Sequence, residues 1–243
     1  MLGRSRSFGF LGPGALGPQV LHALGFADAV SAVAARTGDP DLAAPDAVLD
    51  LGSGGGLPGL VLAERWPAAA LVLLDANERR TSFLAAEVER LGWGPRVIVV
   101  RARAEEAGRR LELRGAFDVV VARSFGPPPV TAECGSPFLR VGGLLVVSEP
   151  PVDGEGGARG EGGSAGDGIA RPGDGEAVAG AGAAGARWEP DGLAEVGLEV
   201  LGTFAAGPYG YQVLRQVVSC PDRYPRRVGI PVKRPIYRVQ DTG

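Results

Sequence analysis

Five short, solidly apolar runs recur between Ala47 and Pro150: AVLDL, ALVLLDA, RVIVVRA, FDVVVARS and GGLLVVSEP. Their apolar residues are continuous rather than alternating, so each run must be covered on both faces. Helix-forming stretches separate them. LPGLVLAERW follows the first run, with Pro58 suited to a first helical turn. ERRTSFLAAEVERLGW follows the second and puts Phe83, Leu84, Val88 and Leu91 on one face. Strand and helix in alternation predict an α/β fold of the doubly wound, Rossmann-like kind, with a mostly parallel sheet. WEPDGLAEVGLEVLGTF and GYQVLRQVV add a short helix and two later strands, expected as an antiparallel hairpin.

The boundaries follow from the same pattern. Residues 1–45 form a short helical preface, in which QVLHALGFADAVSAVAAR carries one apolar stripe through Val20, Leu21, Leu24, Ala27 and Val30. Residues 46–243 form the α/β domain. Within it, 152–187 is about one-third glycine and has almost no large apolar side chain, so a flexible insertion is expected. Residues 219–243 form a basic C-terminal tail. The chain as a whole has a net charge of −3, yet Arg215, Arg223, Arg226, Arg227, Lys233, Arg234 and Arg238 face only Asp222 in this end region. A basic end on an acidic chain suits a specific anionic partner.

Several classes are excluded or disfavoured. No apolar run is long enough for a membrane helix. Glycine and proline interrupt MLGRSRSFGFLGPG where a secretory signal needs an apolar core, so a cytoplasmic, monomeric protein is expected. Cys134 and Cys220 lack metal-ligand spacing and read as reduced thiols. His22 is the single histidine, which leaves no histidine-rich metal site, and no metal is expected.

Between the first strand and its helix lies DLGSGGGLPGL, Asp50 to Leu60. A dinucleotide fingerprint, G-x-G-x-x-G, would put its third glycine on Leu57, so it fails. The pattern present is an acidic residue followed by Gly52, Gly54 and Gly56, which resembles the class I S-adenosylmethionine methyltransferases. The chemistry fits. A pyrophosphate disfavours a neighbouring carboxylate, whereas an ammonium and a sulfonium welcome Asp50. Asp75 ends the second strand, where a carboxylate can bind two ribose hydroxyls or cap the next helix. Ala104 and Glu105 start the segment after the third strand, where an adenine is commonly covered; Glu105 would serve equally as a solvated helix-start carboxylate.

VLDLGSGGGLPGLVLA, LLDANERRTSFL, RARAEE and VVVARSFGP together resemble the glucose-inhibited division protein B family, as does the terminal YPRRVGIPVKRPIY. These are small-subunit ribosomal RNA methyltransferases of the G type, which methylate a guanine at N7. The resemblance runs from about Ala47 to Pro150 and resumes near Gly210. It implies S-adenosylmethionine bound by Gly52, Leu57, Asp75, the backbone of Ala104 and Glu105, and Arg123, which stands at the mouth where cofactor and base meet. Arg123 is also the candidate catalytic residue, against a base edge or a phosphate. Phe125 is placed to stack on a base or to pack. Arg223, Arg226, Arg227, Lys233 and Arg234 are the expected RNA contacts.

The chain departs from the family in three places. Its N-terminal portion is shorter than the family's helical lid. Glu149 and Pro150 stand where a lysine and a glycine are usual, and 152–187 has no counterpart. A carboxylate near the mouth would weaken attraction to phosphates, so a small molecule or a protein is the alternative methyl acceptor.

Overall fold

The computed structural model describes residues 1–150 and 187–239; the glycine-rich stretch up to residue 186 lies outside the described residues, as do 240–243. Seven strands form one sheet. They are β1 (Ala47–Leu51), β2 (Ala70–Asp75), β3 (Val97–Arg101), β4 (Phe117–Ala122), β5 (Leu139–Glu149), β6 (Leu198–Ala206) and β7 (Tyr209–Gln216). Their order is β3-β2-β1-β4-β5-β7-β6. β1 to β5 pair in parallel, whereas β7 is antiparallel to both β5 and β6. The expected parallel core and late hairpin are both present, with β7 inserted between β5 and β6.

Nine helices among the described residues complete the fold: α1 (Leu2–Ser7), α2 (Leu16–Thr37), α3 (Pro40–Ala43), α4 (Gly59–Arg65), α5 (Glu78–Arg90), α6 (Ala104–Ala107), α7 (Pro128–Gly135), α8 (Pro190–Ala194) and α9 (Ile230–Lys233). Pro58 caps α4 from outside rather than sitting within its first turn. None of these helices is long and apolar enough to cross a membrane.

Period-two geometry splits the strands between two cores. Val48, Leu71, Leu73, Val119 and Val121 join Phe26, Val30, Leu60, Leu62 and Leu84 on one face. Leu49, Leu51, Leu74, Val120 and Ala122 join Phe138, Trp188 and Leu193 on the other. The 22-residue α2 thus shares a core with β1, β2 and β4 and is longer than its apolar stripe suggests. The same alternation points Asp50 toward the α4 face, and this sets up the site.

Candidate active site

At the carboxyl end of β1 the chain must turn sharply. Gly52, Gly54 and Gly56 accomplish this with φ of 77°, 53° and 100°, values that side chains rarely tolerate. The amides of Gly52 and Ser53 both donate to the Leu74 carbonyl, at 2.8 and 2.9 Å. Asp75 closes the turn from β2: its Oδ2 accepts from Gly54 N at 2.9 Å and its Oδ1 from Asn77 N at 2.7 Å. Arg80 Nη1 stands 3.7 Å from the same Oδ2. Capping of α5 falls to Asn77, whose side chain accepts from Arg80 N.

Asp50 is fully buried, and its Oδ2 accepts from Gly59 N at 2.9 Å. A Cβ on Gly59 would lie 2.5 Å from that oxygen, so the glycine of Leu57-Pro58-Gly59 is a requirement of close approach. Leu57 itself packs under the N-terminal helix with Leu2, Ala23 and Val61. Asp50 Oδ1 is buried without a partner. Burial pushes the carboxyl up to about 7, against the pull of the Gly59 hydrogen bond.

Arg123 follows β4, the neighbour of β1 across the reversal in strand order, where α/β sheets open their binding crevice. It is half-buried, and its Nη1 is buried without a partner. Burial lowers its pKa, while Tyr211 and Asp50 act in the opposite sense. The next residue, Ser124, is the one non-glycine residue with positive φ among the described residues, at 52°. Strain of this kind costs about 1–3 kcal/mol and is held where a side chain must be aimed. Phe125 then lies over Gly52, where a Cβ would meet its ring at 2.8 Å. An orphaned carboxylate oxygen on β1 and an orphaned guanidinium nitrogen after β4 form the pair that a zwitterionic amino-acid group would satisfy.

The N-terminal segment covers the loop, a role its departure from the family pattern concealed. Ser5 Oγ donates to the Gly55 carbonyl at 2.6 Å, and a Cβ on Gly55 would collide with the Phe10 carbonyl. Phe8 and Phe10 pack on Phe83 of α5 at centroid separations of 5.5 and 5.4 Å. Arg4 pairs with the buried Glu87 at 2.7 Å. The motif that could have shown this is the aromatic pair in SFGF, whose partner lies over seventy residues away.

On the far side, Ala104 and Glu105 are buried at the start of α6. Glu105 Oε1 accepts from Gly229 N at 3.0 Å, so it ties the loop after β3 to the C-terminal tail. The tail is also held by Arg114, which donates to the carbonyls of Cys220, Pro221 and Tyr224, and by Arg109, which donates to Pro225. Arg226 is drawn inward. Its backbone N and Nε donate to Oε1 of the buried Glu133, at 2.9 and 2.8 Å. Arg223, Arg227, Lys233 and Arg234 remain exposed. Glu149 is not a bare carboxylate at the mouth: Arg187 pairs with it and the Trp188 indole donates to it at 2.6 Å. Cys134 and Cys220 are free and buried, and no metal-binding cluster occurs among the described residues.

Comparison with known proteins agrees with this geometry. The family model of rRNA small subunit methyltransferase G matches residues 20–149. The ribosomal RNA small subunit methyltransferase G of Rubrobacter xylanophilus is 36% identical over 195 residues, covering 80% of this chain and 67% of that protein. The protein of the same name from Syntrophomonas wolfei is 33% identical over 199 residues, covering 78% and 76%. Among solved structures, a protein assigned as an O-methyltransferase from Klebsiella pneumoniae aligns over 89% of this chain and 88% of its own, with a TM-score of 0.53 at 16% identity, a likeness of fold. The chain belongs to the rRNA small subunit methyltransferase G family, and it is an S-adenosylmethionine-dependent methyltransferase.

Proposed function

We propose that the protein methylates N7 of a guanine in 16S ribosomal RNA. The observation that carries the reading is the orphaned pair, Asp50 Oδ1 and Arg123 Nη1, at the crevice beside a loop of positive-φ glycines. Asp50 would hold the cofactor's ammonium, and Arg123 its carboxylate or the edge of the incoming base. The turn from Gly52 to Leu57 would line the methionine end. The amides of Gly52, Gly54 and Gly56 are already committed to Leu74, Asp75 and Ser53, so these three glycines shape the loop rather than donate to the ligand. Asp75 would take the ribose hydroxyls on the lone pairs that Gly54 and Asn77 leave open. Ala104 and Glu105 would flank the adenine.

When bound, the cofactor supplies an electrophilic methyl group on a sulfonium. Guanine N7 offers a lone pair and no proton, so the protein needs to supply orientation and desolvation rather than a base. His22 agrees with that requirement, since burial and the Arg123 guanidinium hold it down to about 4, too low for a general base at neutral pH. Phe125, fixed over Gly52, is available to pack against a base. The exposed Arg223, Arg227, Lys233 and Arg234 supply phosphate contacts, and Arg226 anchors the segment that presents them. The reading with a small molecule or protein as acceptor drew on Glu149, the acidic pI near 5.4 and the short N-terminal portion, and the pairing with Arg187 and Trp188 removes the first of these supports.

The test is transfer of labelled methyl from S-adenosylmethionine to small ribosomal subunits that lack the modification, with the product nucleoside identified after digestion. Incorporation as 7-methylguanosine is expected. Intact cofactor binding without incorporation would remove the RNA assignment.

A further inference from the structure

Glu105 lies in the first turn of α6, yet its carboxylate reaches away from its own helix. It is 5% exposed. Its Oε1 accepts from Gly229 N at 3.0 Å, across 124 positions of chain, and Arg103 Nε stands 3.8 Å from its Oε2. A buried carboxylate bonded in this way fixes its partner, because breaking the bond would leave both groups unsatisfied.

Gly229 is a node of the basic tail. It has a φ of 79° and precedes α9 as its cap. The turn before it closes where Ile230 N donates to the Arg227 carbonyl at 2.9 Å. The turn after it closes where Lys233 N donates to the Gly229 carbonyl at 3.2 Å. Holding the Gly229 amide therefore places Arg227 on one side of the node, and Lys233 and Arg234 on the other. These are three of the exposed residues assigned above to phosphates. The segment that carries Glu105 grips the tail a second time. Arg109 Nη2 donates to the Pro225 carbonyl at 2.6 Å, and a Cβ on Gly108 would stand 3.1 Å from the Pro225 ring. Residues 104–109 thus make one wall with two uses. The backbone of Ala104 and Glu105 is where the adenine would lie, while the side chains of Glu105 and Arg109 hold the basic segment.

Building on the RNA reading and on the adenine's place beside Ala104 and Glu105, we propose that Glu105 is a positioning residue that links the two ligands. A cofactor bound against this wall fixes the Gly229 turn, so that S-adenosylmethionine and RNA strengthen each other's binding. Ordering of the wall is met once for both ligands, and linkage makes the gain reciprocal.

Two conservative variants separate reach from charge. Glu105→Gln keeps an acceptor oxygen at the Gly229 amide and removes the charge; Glu105→Asp keeps the charge and draws it back by one methylene. Binding of unmethylated small subunits is measured with and without S-adenosylhomocysteine, which fills the cofactor site and prevents turnover. Values of kcat and KM for methyl transfer are recorded alongside. In the wild type, S-adenosylhomocysteine is expected to tighten subunit binding about tenfold. Glu105→Gln should keep most of that ratio. Glu105→Asp should bring it close to one and raise KM for the subunits while kcat at saturation is retained. A wild-type ratio in Glu105→Asp would overturn the proposal, as would an equal loss in both variants, which would assign the effect to charge rather than to the bond with Gly229. The wild-type and Glu105→Gln ratios decide the matter even where Glu105→Asp does not fold. A wild type that binds S-adenosylhomocysteine but transfers no methyl group to the subunits would overturn the RNA reading and this inference together. A wild type that methylates them, with no tightening by S-adenosylhomocysteine, would overturn this inference alone.

Discussion

The glycine loop and the basic C-terminal run are both short, recognisable stretches, yet they relate to the structure in opposite ways. The loop is a motif of backbone conformation. Alternate glycines with positive φ fold the chain whatever surrounds it, and the partners that complete it, Asp50 and Asp75, lie within about two dozen residues. The basic run is a motif of side-chain charge, and distant residues decide what each charge does. Glu133, 93 positions earlier, takes Arg226, and Glu105, 124 positions earlier, takes the Gly229 amide. Arg223 lies over the Tyr224 ring at 4.9 Å, and Arg227 faces solvent. A charge count treats Arg226 and Arg227 as equals. The structure pairs one with a buried carboxylate and leaves the other exposed.

The largest effect expected from that difference is in Arg226→Ala. It would leave Glu133, with no exposed side-chain surface, uncompensated. Removing one partner of a buried pair costs about 3–5 kcal/mol. Denaturant unfolding should show the loss, and adding Glu133→Gln should recover much of it because the stranded charge is gone. Unfolding of Arg226→Ala that matches the wild type would mean the run is not anchored through this pair.

The loop offers the reverse test, in which function falls and stability does not. Asp50→Asn keeps an oxygen to accept from Gly59 but removes the charge that would meet the cofactor's ammonium. A binding loss of about 2–5 kcal/mol is expected by calorimetry, without destabilisation of the free protein. The pH dependence follows from burial, which raises this carboxyl to about 7. Between an unfolded-state value of about 4 and that folded value, the folded chain holds a proton that the unfolded chain has released, so this group's contribution to stability falls as pH rises through the window. Cofactor affinity should move the other way, strengthening as pH rises through 7 and the carboxylate ionises. Affinity that is flat between pH 6 and 8 would show that Asp50 does not meet the ammonium.

The same contrast explains what could be read without the structure. The five parallel strands were legible because each is a continuous apolar run, and the turn glycines because their spacing dictates φ. The start of β5 at Leu139 was not, since Arg140 and Val141 are partly or largely exposed and a register shift in the β4–β5 pairing falls in this region. The cover over the loop was hidden because Ser5 meets Gly55 fifty residues on. Glu149 looked like a free carboxylate because Arg187 and Trp188 lie 38 and 39 residues further along. His22 counted as evidence against a metal site, and its unpartnered Nε2 appears only once β7 brings Tyr209 and Tyr211 against α2.

The smallest effect, and the one that sharpens the comparison most, belongs to Arg227→Ala. Its side chain is exposed and has no ion-pair partner among the described residues, so folding stability should change by less than about 0.5 kcal/mol. Under the proposed RNA reading, its contribution is to binding alone. Each phosphate neutralised releases condensed counterions, and losing one contact lowers the dependence of log K on log salt by about 0.7 for a single strand or about 0.9 for a duplex. Measured against unmethylated small subunits over a range of salt, Arg227→Ala should show a shallower slope at an unchanged melting temperature. Arg226→Ala should lose stability first, and with it the whole track, so its slope should fall by more than one contact. If the two variants change the slope equally and both keep full stability, the distinction between anchor and contact fails, and the run acts as the undifferentiated cluster of charge that its composition describes.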